Sequence, residues 1–180
     1  MSRSSSLMVA AILTAGFATA AAAQTAAGAN PYADAAKRQS DLVKGNIVKA
    51  AEKMPEEHYA FKPTPEVRSF GAILGHIANA NYMICSRAAG TESPAKADIE
   101  KTVTAKADLV KALGESFAYC DEVLGKLDDK AGAELVKFFG GEQPKLMVIA
   151  FNTAHNFEHY GNLVTYMRMK GLVPPSSEGR

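Results

Sequence analysis

The sequence predicts an all-α protein built as a four-helix bundle, and three observations carry that expectation. Four segments space their apolar residues three or four apart. Capping or stop residues mark three of them, and the stretches between the segments are rich in Pro, Gly and charge. No internal repeat or long low-complexity run breaks the pattern.

The first helix opens at Asn30-Pro31, a capping residue followed by a proline suited to the first turn. Tyr32, Ala36, Val43, Ile47, Ala50 and Met54 form its inner face, and Pro55 ends it. Pro63 and Pro65 push their predecessors toward extended geometry, so EEHYAFKPTPEVR reads as an extended connector. Ser69 is the expected N-cap of a second helix that runs to about Ala89, with Phe70, Ile73, Leu74, Ile77 and Ile84 inward and Gly90 as its stop. After a loop containing Ser93-Pro94, a third helix spans about Thr102 to Leu127, its seam made by Leu109, Leu113, Phe117, Cys120, Leu124 and Leu127. The stretch ELVKFFGGEQ fits a short β-like turn as well as a frayed helix end. The fourth helix runs from about Pro144 to Lys170, closed by Gly171, and Pro174-Pro175 prevents continuation.

Residues 1–23 read as a secretory signal: Arg3 near the start, an apolar segment from Leu7 to Ala20, and small residues at Ala21 and Ala23 before the expected cleavage. A membrane span needs about 20 strongly apolar residues, and this segment is shorter and rich in alanine. The expectation is therefore an exported protein, periplasmic or secreted, with no membrane attachment after cleavage. Residues 24–180 remain, 180 − 23 = 157 of them, enough for one domain with one core. The 20 basic and 19 acidic residues are dispersed along the chain, which argues against a nucleic-acid partner. Two cysteines in an exported chain permit one disulfide.

The fourth helix carries the chemistry. His155 and His159 are four apart, so their imidazoles stack one turn above the other and reach a common point. His76 supplies a third ligand, flanked one turn away on either side by Ala72 and Ala80, which leave space at the bundle axis. Three histidines leave a coordination position for water or substrate, the pattern of catalytic zinc sites. The expectation is one divalent ion, zinc or nickel foremost; cobalt, copper and iron also accept imidazole. His155 and His159 lie on the apolar stripe Val148, Asn152, His155, His159, Leu163 and Tyr166, where an unpartnered imidazole is costly to bury. Asn79, Asn152 and Asn162 lie near these strips and are candidates to orient the imidazoles, with pairing to backbone as the plainer alternative. His58, between carboxylates in the connector, reads as solvated.

The run His155 to His159 also matches H-x-x-E-H, a zinc-peptidase signature. That signature needs a further acidic ligand well downstream, and the single acidic residue after His159 is Glu178 in the tail. Glu158 is the nearest carboxylate in sequence and the one candidate base, although it lies about 60° from His155 and about 100° from His159 around the helix. No nucleophile, phosphate loop or paired-carboxylate motif stands beside the histidines, so the substrate is expected only to be a small molecule. The other side of the fourth helix, with Leu146, Ile149, Phe157 and Val164, is apolar too, which predicts either coverage within the bundle or a homodimer.

Two blocks, YAFKPTPEVRSFGAILGHIA and HNFEHYGNLVTYMRMKGLVPP, resemble the DinB-like superfamily of metal-binding four-helix bundles across essentially the whole mature chain. The resemblance implies that His76, His155 and His159 are the metal triad, and that the bundle uses a crossover connection. Parallel second and third helices would bring Cys85 and Cys120 level, close enough for a disulfide, whereas antiparallel ones would separate them by several turns. Characterised members include transferases that use low-molecular-weight thiols, and others have no known activity. Such thiols are cytoplasmic, so export departs from that chemistry. The reading is a metal-dependent hydrolytic or nucleophilic-transfer enzyme; the alternatives are a non-catalytic metal-binding or stress-related bundle, and a structural dimer with a vestigial site.

Overall fold

The computed structural model describes residues 29–179, so the expected signal sequence lies outside the described residues. In chain order the elements are α1 (Pro31–Lys53), α2 (Phe70–Ala89), α3 (Ile99–Thr102), α4 (Lys106–Gly125), α5 (Asp129–Gly132), β1 (Leu135–Phe138), β2 (Gly141–Pro144) and α6 (Lys145–Met169). The four long helices α1, α2, α4 and α6 form the bundle.

Side-chain pairings fix the directions of the helices. Lys44 reaches Asp121 while Lys106 donates to the carbonyls of Glu52 and Met54, so α1 and α4 are antiparallel. Asn81 meets Ser116 and Cys85 bonds Cys120, so α2 and α4 run parallel. Tyr166 Oη donates to the Arg68 carbonyl while Asn152 donates to Asn81, so α2 and α6 are antiparallel. Parallel neighbours require a return crossing. The segment between α2 and α4 makes it, and α3 lies on that segment.

Local chemistry explains the helix ends. The Ser69 hydroxyl accepts from the Ala72 amide at 3.2 Å and Gly90 adopts φ 71°, as a capped start and a left-handed stop require. Asn30 does not cap α1 itself. Instead the Asp129 carboxylate accepts from the amides of Tyr32 (3.1 Å) and Ala33 (2.8 Å), placing an anion at the helix start from another element. Tyr32 is consequently not in the core: its ring is 75% exposed.

The third long helix begins at Lys106, not near Thr102. Residues Ile99–Thr102 form the separate turn α3, and Val103 is extended, because the crossing strand must fold onto α2 before it turns into α4. The proline-rich connector is not extended throughout either. Residues Glu56–His58 form one 3-10 turn, and the amides of Phe70 and Gly71 donate to the carbonyls of Phe61 and Tyr59. ELVKFFGGEQ contains a two-stranded antiparallel hairpin, with Phe138 paired to Gly141. Its two turn residues, Phe139 and Gly140, have φ of 44° and 80°, the sign a tight primed turn demands.

The core has two apolar layers. One contains Val43, Ile47, Phe70, Leu74, Leu113, Leu163 and Met167. The other, around the Cys85–Cys120 disulfide, contains Ile84, Leu124, Val148 and Ile149. Full burial of each large aliphatic side chain contributes about 1.5–3 kcal/mol relative to exposure. A buried polar layer of Asn81, Ser116, Asn152 and Asn156 also crosses the interior. The second apolar side expected on α6 is mostly used inside the chain: Ile149 is 3% exposed, and Leu146 and Val164 pack against the core. Among the described residues, no helix is long and apolar enough to cross a membrane.

Candidate metal centre

α2 carries His76 at its middle, and α6 runs past it in the opposite direction with His155 and His159 on successive turns. The three side chains meet at the interface of these two helices. Nε2 of His155 lies 3.2 Å from Nε2 of His76 and 3.0 Å from Nε2 of His159. The three ligand atoms all lie within 4.8 Å of one another. Tetrahedral zinc with bonds of about 2.0–2.1 Å spaces its nitrogen ligands about 3.4 Å apart, close to the two separations that His155 makes with His76 and His159.

Electrostatics keep the two α6 rings neutral, as ligands must be. Burial, reinforced by the neighbouring His76, lowers the pKa of His155 below its usual value of 6.5. Burial, with His155 and His76 beside it, pushes His159 down to about 4. Both rings therefore have free lone pairs at neutral pH.

His76 is oriented from the crossover. Glu100 on α3 places Oε2 3.2 Å from His76 Nδ1, while its Oε1 accepts from Arg68 Nε at 2.8 Å. A carboxylate on Nδ1 fixes the tautomer that leaves Nε2 free for a ligand role. This contact depends on Gly75, since a Cβ there would lie 2.7 Å from the Glu100 Cα. Asn79 acts on the same segment: its amide donates to Asp98 at 2.7 Å and accepts from the Ile99 amide at 2.9 Å. It anchors α3 and touches no imidazole.

The other two asparagines differ from each other. Asn152 and Asn156 both donate to Asn81 Oδ1 at 3.0 Å, and Asn81 in turn donates to Ser116 Oγ at 3.1 Å. The chain belongs to the polar layer of the bundle. Asn162 alone approaches an imidazole, 3.5 Å from His159 Nδ1, at the long limit for a hydrogen bond. His155 Nδ1, Asn152 Oδ1 and Asn156 Oδ1 are buried with no hydrogen-bond partner among the described residues.

Beside the triad opens a cleft of about 560 Å³, lined by Arg68, Glu100, Glu158, His159, Asn162 and Tyr166 among others. Glu158 is exposed and reaches this cleft from α6, so it shares the space next to the triad without belonging to the cluster. His58 sits in its 3-10 turn, outside the cluster. Sequence reasoning missed Glu100 and Arg68. Their one sequence signal is charge in otherwise unpatterned connectors, and only the close approach at Gly75 gives Glu100 a role.

The model of the DinB superfamily matches residues 39–163, and the chain belongs to that superfamily. Two solved structures share the fold. A DinB-like protein from Bacillus cereus ATCC 10987 is 19% identical with a TM-score of 0.70, the match covering 79% of this chain and 95% of that one. The DinB-like protein YjoA from Bacillus subtilis is 21% identical with a TM-score of 0.65, covering 81% and 99%. A comparison with curated proteins finds no match.

Proposed function

We propose that this chain is an exported metal-dependent protein that holds one divalent ion on Nε2 of His76, His155 and His159 and acts on a small molecule admitted through the adjoining cleft. The observation that carries the reading is the convergence of three imidazole nitrogens at the edge of a solvent-open cleft. An all-imidazole set suits zinc or nickel. An ion held by these three imidazoles would supply Lewis acidity to a substrate oxygen or a bound nucleophile. The chain's own residues supply position and charge: Glu100 holds His76 in register, Arg68 steadies Glu100 and adds a cation to the cleft wall, and Glu158 is placed to hold a proton there. Hydrolysis or nucleophilic transfer is the reaction class this favours.

A disulfide between Cys85 and Cys120 supports the export reading, because such bonds persist in oxidising compartments. The functional reading is tested by titrating azide, then a small thiol, into cobalt-substituted protein and following the visible spectrum. The expected result is a saturable spectral change for at least one of them. A spectrum indifferent to every ligand means a closed coordination sphere and a non-catalytic metal-binding role.

A further inference from the structure

Three polar atoms of α6 are buried with no hydrogen-bond partner among the described residues: Nδ1 of His155 and the side-chain oxygens of Asn152 and Asn156. The two asparagines are 3% and 1% exposed. Turning their amides over does not relieve them, because the polar layer has a direction. The Ser116 hydroxyl donates to the Leu113 carbonyl, so toward Asn81 it accepts, and Asn81 Nδ2 is the donor at 3.1 Å. Asn81 Oδ1 must then face α6, where it accepts from Nδ2 of Asn152 and of Asn156, each at 3.0 Å. The second hydrogen of Asn152 Nδ2 is directed to Cys120 Sγ at 3.7 Å. Both amide oxygens are thereby left over as acceptors.

His155 stands between this layer and the triad. Positions 152, 155 and 156 fall within about 100° of arc around α6. All three side chains reach α2, His155 at His76 and the asparagines at Asn81, a little over one turn further along. With Nε2 turned to His76 and His159, the other ring nitrogen of His155 is the orphan. A metal-ligating imidazole carries its proton on that nitrogen and donates it to an outer partner. One donor and two acceptors are the complement of one water molecule, and a buried water makes about three hydrogen bonds. Its two hydrogens go to the two amide oxygens, which leaves it only a lone pair to offer His155.

We infer that Asn152 and Asn156 hold a buried water that accepts from His155 Nδ1, fixing the tautomer in which His155 Nε2 presents a lone pair to the ion. Glu100 does this for His76 directly; the asparagine pair does it for His155 through water. A direct bond from the imidazole to one amide would leave the other oxygen orphaned, which is why the pair points to water. Asn152 and Asn156 are thus positioning residues, and Asn81 holds their amides in the required sense. Their importance for metal binding rests on the proposed triad site, whereas the tautomer is set in the metal-free chain as well.

The test is nitrogen-15 NMR of histidine-labelled, metal-free protein at pH 7.5, where burial keeps the His155 ring neutral. The parent should carry the His155 proton on Nδ1, in slow exchange and cross-relaxing with a long-lived water. Asn152→Leu removes one acceptor and returns a hydrogen to the water, which then donates to Nδ1, so the Nε2–H form should become populated. Zinc affinity of that variant should fall about 10-fold. Val148→Ala, which opens a cavity in the same stretch of α6, should cost stability and leave the tautomer unchanged. A parent already in the Nε2–H form, an Nδ1 proton without a water cross-peak, or an Asn152→Leu protein with the parent's tautomer overturns the inference. The same shift in Val148→Ala overturns it too. If Asn152→Leu does not fold, Asn156→Leu carries the comparison. A parent that shows the tautomer and the water but binds no zinc refutes the metal centre and leaves the water site standing.

Discussion

Removing Glu100 isolates what the crossover contributes to the site. Its carboxylate is the one acidic group bonded to a triad imidazole among the described residues, and Glu100→Ala leaves His76 Nδ1 without its partner. Loss of such an outer partner lowers metal affinity about 10- to 100-fold. The contact here is 3.2 Å, longer than the about 2.7–2.9 Å of a strong charge-assisted bond, and the Glu100 side chain is 26% exposed. The lower part of the range is therefore expected, about 10- to 30-fold, or about 1.4–2 kcal/mol. Glu100→Gln keeps an acceptor oxygen and should lose only about threefold, near 0.7 kcal/mol. Gly75→Ala should resemble Glu100→Ala, because its Cβ meets the Glu100 backbone and forces α3 away from His76. Competition titration of zinc against a chromophoric chelator at pH 7.5 measures all three. Affinity for Glu100→Ala within twofold of the parent would refute the orienting role.

Cys85→Ser with Cys120→Ser opens a link with a sequence separation of 35. The chain-entropy relation gives about 3.8 kcal/mol for that loop, so urea unfolding should report a loss of that order, and a loss under 1 kcal/mol would contradict it. The pH dependence of the metal-free protein follows from the histidines. His159 has a folded pKa of about 4 and His155 is shifted the same way, both below the ordinary 6.5. Between these values the unfolded chain binds protons that the native chain refuses, so their contribution is complete above about pH 6.5 and falls as pH drops toward 4. The urea midpoint should thus decline more between pH 7.5 and 5 in the parent than in His159→Asn. Equal declines would contradict the assignment.

How much of this was legible in sequence depends on the element. The four long helices follow from spacing and caps: Ser69, Gly90, Pro144 and Gly171 mark ends within a residue or so of those observed. The convergence of His155 and His159 was legible because residues four apart on a helix lie one turn above the other, whereas His76 was joined to them by its small neighbours Ala72 and Ala80 and by the family resemblance. Glu100 was not legible, since α3 is four residues long and too short for periodicity, and its position is set by packing against Gly75. Tyr32 misled because an aromatic at helical spacing suggests burial, whereas its turn of α1 is held by Asp129 through backbone alone. The second apolar side of α6 was read correctly as apolar, but periodicity does not tell which part a folded neighbour covers. Ile149 went to the disulfide layer, leaving Met147 and Phe151 outside.

The central claim is that His76, His155 and His159 hold one divalent ion. Elemental analysis of protein prepared without a histidine tag and saturated with zinc, then freed of excess, tests it most directly. The account predicts close to one equivalent per chain for the parent and almost none for the His155→Ala, His159→Ala double variant. Equal zinc content in the two proteins would contradict it.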